Sequence, residues 1–99
     1  MIVDCTDTFA TKYLIADAAE ITGIPLVWGS VLRYQGSVSV FRTGSAHLRD
    51  LFPTTPETLE SCAEAGVLGA TTAVIGSLMA TETLKFLVGL PTLEGRLLT

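Results

Sequence analysis

Ninety-nine residues and 10.5 kDa allow one small domain, and a chain of this mass buries roughly two-thirds of its unfolded surface. With 48% hydrophobic and only 16% charged residues and a mean hydropathy of +0.52, the chain is excluded from the disordered class, which is poor in apolar residues. Soluble domains average about 25% charged residues, so the apolar surplus is large for a free-standing globule. Six basic and ten acidic residues give a net charge of −4, and no basic cluster is available to track a phosphate backbone, which argues against nucleic-acid binding.

In chain order, Ile2 and Val3 read as the end of a buried strand, followed by the turn-prone Asp4-Cys5-Thr6-Asp7. A helical pattern starts near Thr8 and stops at Gly23 and Pro25, residues that end helices by left-handed capping and by lack of an amide donor. On it Ala10, Leu14, Ala18 and Ile21 share one face, predicted to be the buried one, with Lys12 and Glu20 elsewhere. The stretch from Pro25 to Phe41 reads as a β-hairpin turning near Gly36, with Val38 and Val40 alternating with polar residues. Residues 43–60 have little periodicity and contain Pro53 and Pro56. They are predicted to form a long surface loop, a length that in compact domains accompanies function or mobility.

Ser61-Cys62-Ala63-Glu64 has the Ser-x-x-Glu form of a capping box ahead of an apolar run. It predicts a long helix over residues 61–88, ended by Gly89 and Pro91, and Arg96-Leu97-Leu98-Thr99 reads as a last strand cut short. The uncharged run over residues 65–81 falls short of a membrane span and holds Gly66, Gly69 and Gly76. A buried helix is the expectation, with these glycines admitting another backbone. Cys5 and Cys62 are far apart, and the N-terminus has acids where a secretory leader needs bases, so a reduced, cytoplasmic setting is expected.

Three positions carry candidate chemistry. Cys62 lies at the predicted start of a helix, where free N–H groups and the helix dipole favour the reactive thiolate; the competing reading is a small buried apolar residue, and Glu64 opposes thiolate formation unless it is occupied in the cap. Asp4 and Asp7 flank the end of the first strand. In open α/β sheets ligands bind beyond the carboxyl ends of strands, so an acid here suits a metal–nucleotide complex, although an Asp at this place also serves as a helix cap. His47, the one histidine, has no nearby nucleophile and reads as a solvated loop residue. No Gly-x-Gly occurs, so neither a dinucleotide fingerprint nor a P-loop is present.

Taken in order, Val3-Asp-Cys-Thr-Asp-Thr-Phe-Ala-Thr-Lys-Tyr-Leu14, Pro25-Leu-Val-Trp-Gly-Ser30, Gly36-Ser-Val-Ser-Val-Phe41, Ser61-Cys-Ala-Glu-Ala-Gly-Val-Leu-Gly69, Gly76-Ser-Leu-Met-Ala-Thr-Glu-Thr-Leu-Lys85 and Gly95-Arg-Leu resemble the MoeB/ThiF family. These are adenylyltransferases of ubiquitin-like sulfur-carrier proteins, related to ubiquitin-activating enzymes. The resemblance spans essentially the whole chain but only the middle to late part of a family domain. It implies an α/β, partial Rossmann-like fold of strand stump, helix, β-hairpin, crossover loop, long helix and terminal strand.

By the same resemblance, Asp7 is the acid that contacts Mg²⁺–ATP, with Asp4 and Thr8 beside it, and Cys62 is the cysteine of acyl or persulfide transfer. ATP and Mg²⁺ are the implied cofactors. The implied partner is a ubiquitin-like sulfur carrier of molybdopterin or thiamine type, with a homodimer or a full-length homologue as a further partner and neither nucleic acid nor membrane. Thr8 stands where the family usually has Asn, and His47-Leu-Arg-Asp50 stands where many members have a Cys-x-x-Cys zinc half-site, so no zinc site is expected. The family's glycine-rich phosphate loop belongs upstream of Met1. Residues 1–99 are therefore expected to be an incomplete adenylyltransferase domain, inactive in isolation, with a non-catalytic interaction module as the alternative.

Overall fold

The N-terminal apolar stump forms a strand, β1 (Ile2–Asp4), in the computed structural model, which describes residues 1–32, 35–53 and 69–99. Helix α1 (Phe9–Thr22) follows. Thr8 caps it, its extended backbone turning the hydroxyl to accept the Thr11 amide at 3.4 Å. Gly23 ends it at φ +70°, where its amide reaches Ala19 and Glu20 carbonyls and the Ile24 amide donates to Ala19 O at 3.0 Å. A residue with a Cβ is strained in that left-handed conformation, which is why the stop falls on glycine.

Strands β2 (Leu26–Leu32) and β3 (Gln35–Phe41) complete a mixed sheet of order β1-β2-β3. β1 runs parallel to β2, with α1 as the crossover, and β2 runs antiparallel to β3. The protein is thus α/β, as expected. The hairpin register pairs Val31 with Gly36 and Leu32 with Gln35, so Gly36 sits within β3 and not at the turn it was expected to make. Helices α2 (Leu48–Leu51) and α3 (Gly69–Leu87) complete the described elements.

Each sheet face has its own core, because alternate side chains of a strand point to opposite sides. Leu26, Trp28 and Phe41 meet Phe9, Tyr13, Ala16 and Ala19 of α1 and Leu48 of α2 on one face; Val27, Val38 and Val40 meet Ile75 and Met79 of α3 on the other. Leu26, Val27, Val38, Val40 and Leu48 are fully buried. Each such side chain stabilises the fold by about 1.5–3 kcal/mol relative to exposure.

Four expectations are corrected. The buried face of α1 is Phe9, Lys12, Tyr13, Ala16 and Ala19, whereas Leu14 and Ile21 are 69% and 85% exposed and Ala10 and Ala18 are not among the buried residues. Two apolar stripes run along this helix; the one carrying small Ala16 and Ala19 lets α1 approach the sheet, and it brings the Tyr13 hydroxyl to Phe52 O at 2.6 Å. The predicted loop over residues 43–60 contains α2, because Leu48 plugs the core between α1 and the sheet; its later part, 54–60, lies outside the described residues.

Among the described residues close backbone approach occurs in the sheet and not at the glycines of α3, and Gly66 lies outside them. A Cβ at Gly29 would run into Met79 and one at Gly36 into Ile75, while Gly69 and Gly76 have nothing within 4 Å. The sheet glycines let α3 lie against β2 and β3. The chain end forms no strand: Val38 and Leu98 exchange backbone bonds of 2.9 Å, and a separate bridge joins Val40 to Glu94. Gly95 at φ +77° bends the chain between these two contacts and prevents a continuous ladder. The helix start predicted at Ser61 also lies outside the described residues, although the helical run of α3 to Leu87 and its stop at Gly89, φ +82°, agree with the sequence.

Candidate active site

The candidate site sits at the carboxyl end of β1, where the turn Cys5-Thr6-Asp7 leads into α1. Asp4 is 1% exposed and its Oδ1 is the hub of the turn. The Thr6 amide donates to it at 2.8 Å and the Thr6 hydroxyl at 2.6 Å, and Lys12 Nζ lies 3.6 Å away. Lys12 is itself buried, donates to Gly29 O at 2.7 Å and lies 5.6 Å from the centre of the Trp28 ring. Asp4 and Trp28 are register partners on adjacent strands. The pair thereby ties the turn to both parallel strands at once. Asp4 Oδ2 and Trp28 Nε1 are buried without a hydrogen-bond partner among the described residues.

These contacts divide the two acids that the sequence presents together. Asp4 is held inside. Asp7, three residues on, is exposed and makes no hydrogen bond or ion pair among the described residues. Neither acid caps α1, because Thr8 does; Thr8 is exposed and its hydroxyl is also 2.9 Å from that of Thr11. The structure therefore brings Asp4, Asp7 and Thr8 to one strand–helix junction in three different settings. Cys5 is an exposed free thiol at the same turn. Cys62 and Glu64 lie outside the described residues, and with them the geometry of the predicted transfer cysteine.

Lys12 is the residue that sequence reasoning misses, since an isolated lysine in an amphipathic helix reads as solvent-facing. The available signal is its position on the Phe9, Tyr13, Ala16 stripe, eight residues after an acid that ends a strand. His47, expected in solvent, is instead the N-cap of α2, its Nδ1 accepting the Arg49 amide at 3.1 Å and its Nε2 lying 3.2 Å from Ala16 O. Asp50 completes the reciprocal box by accepting the His47 amide at 2.8 Å. The two outer residues of the His47-Leu-Arg-Asp50 segment are thus engaged in capping.

Beside this box, Arg49 grips Asp17 of α1 through two bonds, Nε to Oδ1 at 3.0 Å and Nη2 to Oδ2 at 2.8 Å. The hydrogen bond from Arg49 holds the Asp17 carboxyl below its ordinary range, aided by the nearby charges of Arg49 and His47 and opposed by partial burial. No helix among the described residues is long and apolar enough to cross a membrane.

A parallel strand–helix–strand unit with an exposed carboxylate beyond the first strand defines an α/β protein, a class in whose open sheets ligands sit at the carboxyl ends of strands. The ThiF family model matches residues 1–99, and the chain belongs to the ThiF family. It is 46% identical over 106 residues to the probable adenylyltransferase/sulfurtransferase MoeZ of Mycobacterium tuberculosis, covering 99% of this chain and 27% of that protein. It is likewise 46% identical over 98 residues to the sulfur carrier protein adenylyltransferase of Thermus thermophilus, covering 91% of this chain and 36% of the relative. The adenylyltransferase and sulfurtransferase MOCS3 of Bos taurus matches at 46% over 102 residues, with 99% and 22% coverage. The chain therefore spans about a quarter to a third of the length of these relatives.

Proposed function

We propose that this chain is the later part of an ATP-dependent adenylyltransferase domain that activates the C-terminal Gly-Gly carboxylate of a ubiquitin-like sulfur-carrier protein. In that reaction a carboxylate oxygen attacks the α-phosphorus of ATP, the bond to pyrophosphate breaks, and an acyl-adenylate forms; a sulfur nucleophile then displaces AMP. The observation that carries the reading is the exposed carboxylate of Asp7, unpartnered among the described residues, beyond the end of β1 and its buried Asp4–Lys12 pair, in a chain of this family.

The residues fit the implied Mg²⁺–ATP. Asp7 offers a hard oxygen ligand of the kind Mg²⁺ takes, with no partner among the described residues, and α1 begins immediately after it with amides that favour phosphate charge. Mg²⁺ supplied with ATP would offset the charge of the phosphates. Asp7 would hold that ion, Asp4 and Thr6 would fix the turn, and Thr8 would order the first turn of α1. Cys62 is assigned the transfer of the acyl group or persulfide. A cytoplasmic setting follows from the same reading.

By itself the 99-residue chain is expected to catalyse no ATP–pyrophosphate exchange with a Gly-Gly-ended carrier, because electrostatic stabilisation of the transferring group carries much of such catalysis and the family's phosphate loop is not in this sequence. Exchange above background would overturn that expectation. The decisive test replaces the matching segment of the Thermus thermophilus relative with residues 1–99. Carrier-dependent exchange by the chimera, abolished by Asp7→Asn, is the expected result. A folded chimera without exchange, or one indifferent to Asp7→Asn, would sink the assignment.

A second reading is favoured by the exposed apolar residues on the outer sides of the helices, Leu14 and Ile21 on α1 and Val74, Leu84 and Leu87 on α3. In it the chain is a non-catalytic module that docks on a full-length homologue or a carrier. Light scattering separates the two, since a monomer with no affinity for either partner argues against docking.

A further inference from the structure

The contacts of His47 select the tautomer of its neutral ring. Nδ1 accepts the Arg49 amide at 3.1 Å, so it must keep its lone pair, and Nε2, 3.2 Å from Ala16 O, must carry the proton. The neutral ring therefore caps α2 with one nitrogen and holds α1 with the other. We propose that His47 is a proton-sensitive cap, which in its neutral form closes α2 onto α1 and on protonation gives up the cap and turns its charge toward Asp17.

The chemistry follows from donor counting. A proton added at Nδ1 sets an N–H against the Arg49 N–H, two donors face each other, and the capping bond is lost. The same proton makes Nε2–H cationic at 3.7 Å from Asp17 Oδ1, an oxygen already bonded to Arg49 Nε. His47 and Arg49 then share one carboxylate. The other charged groups around the ring are Glu20 of α1 and Arg42 beyond β3, which line the same hollow, and Asp50 of α2, whose carboxylate is bound to the His47 amide. Arg42 opposes the added charge and Glu20 favours it.

α2 is only four residues long, so one cap is a large share of what orders it. Its other ties include Leu48 in the core, the Asp50 bond, the Arg49–Asp17 pair and the Arg49 guanidinium 4.7 Å from the centre of the Tyr13 ring. The effect is local: the bonds of the His47 ring run to α2 and α1. The inference is independent of the adenylyltransferase reading.

Amide-resolved NMR on the 99-residue chain between pH 8 and pH 5 tests it. Protection of the Arg49 amide is expected to fall about fivefold, the effect of losing one cap, with the same midpoint as the His47 ring. In His47→Asn, whose side-chain oxygen caps at any pH, Arg49 protection should stay flat. Unchanged protection through the His47 titration would overturn the proposal, as would an equal fall in His47→Asn. So would a simultaneous loss at Val27 and Val40, because the change would then be global.

Discussion

The two halves of α1 are held by charges in opposite settings. Toward its N-terminus Lys12 reaches Asp4 with both side chains nearly inaccessible, at 3% and 0% exposure; toward its C-terminus Asp17 meets Arg49 at 37% and 50%. The second pair has the better geometry, two short bonds against one contact of 3.6 Å. Geometry does not decide their importance. Water screens the Asp17–Arg49 pair and can replace either partner, whereas removal of Lys12 leaves an ionised Asp4 without a cation in the core. The comparison teaches that the buried pair governs the shape of the Asp7 turn and the exposed pair only locates a short helix.

The sharpest way to break that contrast is Lys12→Met, expected to destabilise the chain by about 3–5 kcal/mol as read from the midpoint of urea unfolding. If it costs no more than Arg49→Ala in the same assay, the distinction between the two halves fails. Gly29→Ala comes next: the added methyl meets Met79, and overpacking of this kind costs about 1–3 kcal/mol. Met79→Ala in the same molecule should remove that steric penalty, though it opens space elsewhere in the second core. His47→Ala should cost about 1 kcal/mol through the lost cap, with His47→Asn close to wild type, both measurable as shifts of the thermal midpoint at pH 7.

The smallest effect belongs to Asp17→Asn, and its pH dependence is the informative part. Because the folded chain holds the Asp17 carboxyl below its ordinary value, the unfolded chain binds the proton first. The contribution of Asp17 is complete above the ordinary carboxylate range and fades as the pH falls through its lowered value. Thermal midpoints of Asp17→Asn and wild type should therefore differ at neutral pH, converge in strong acid and draw together in high salt. A difference that persists in acid would show that Asp17 acts through packing and not through charge.

Much of the architecture was legible in the sequence because it rests on local rules. The order strand, helix, hairpin, long helix followed from apolar spacing and from Gly23, Gly89 and Pro91, whose backbone restrictions act wherever they stand. The candidate junction was legible as well, since a pair of acids at a strand end precedes a helix in the chain itself. Less legible was the turn of the hairpin, where the pairing of Val31 with Gly36 placed a glycine inside the strand. Its reason for being there is Ile75, a residue on the far helix.

By itself the sequence determined the order of first strand, first helix, hairpin and long helix, the α/β class, the family pattern and the two acids at the end of β1, all features carried by neighbours along the chain. Only the tertiary structure decided which stripe of α1 is buried, that Asp4 is enclosed beside Lys12 while Asp7 is exposed, and that His47 is a cap. Each of those depends on what lies across from a side chain, on small alanines admitting the sheet, on Gly29 O receiving a lysine and on Ala16 O receiving an imidazole. Such distances join residues far apart in sequence, and spacing along one segment does not encode them. The apolar surplus of the composition is resolved in the same way. Part of it fills two cores on opposite faces of one sheet, and part, including Leu14, Ile21, Leu84 and Leu87, lies on the outer sides of the helices.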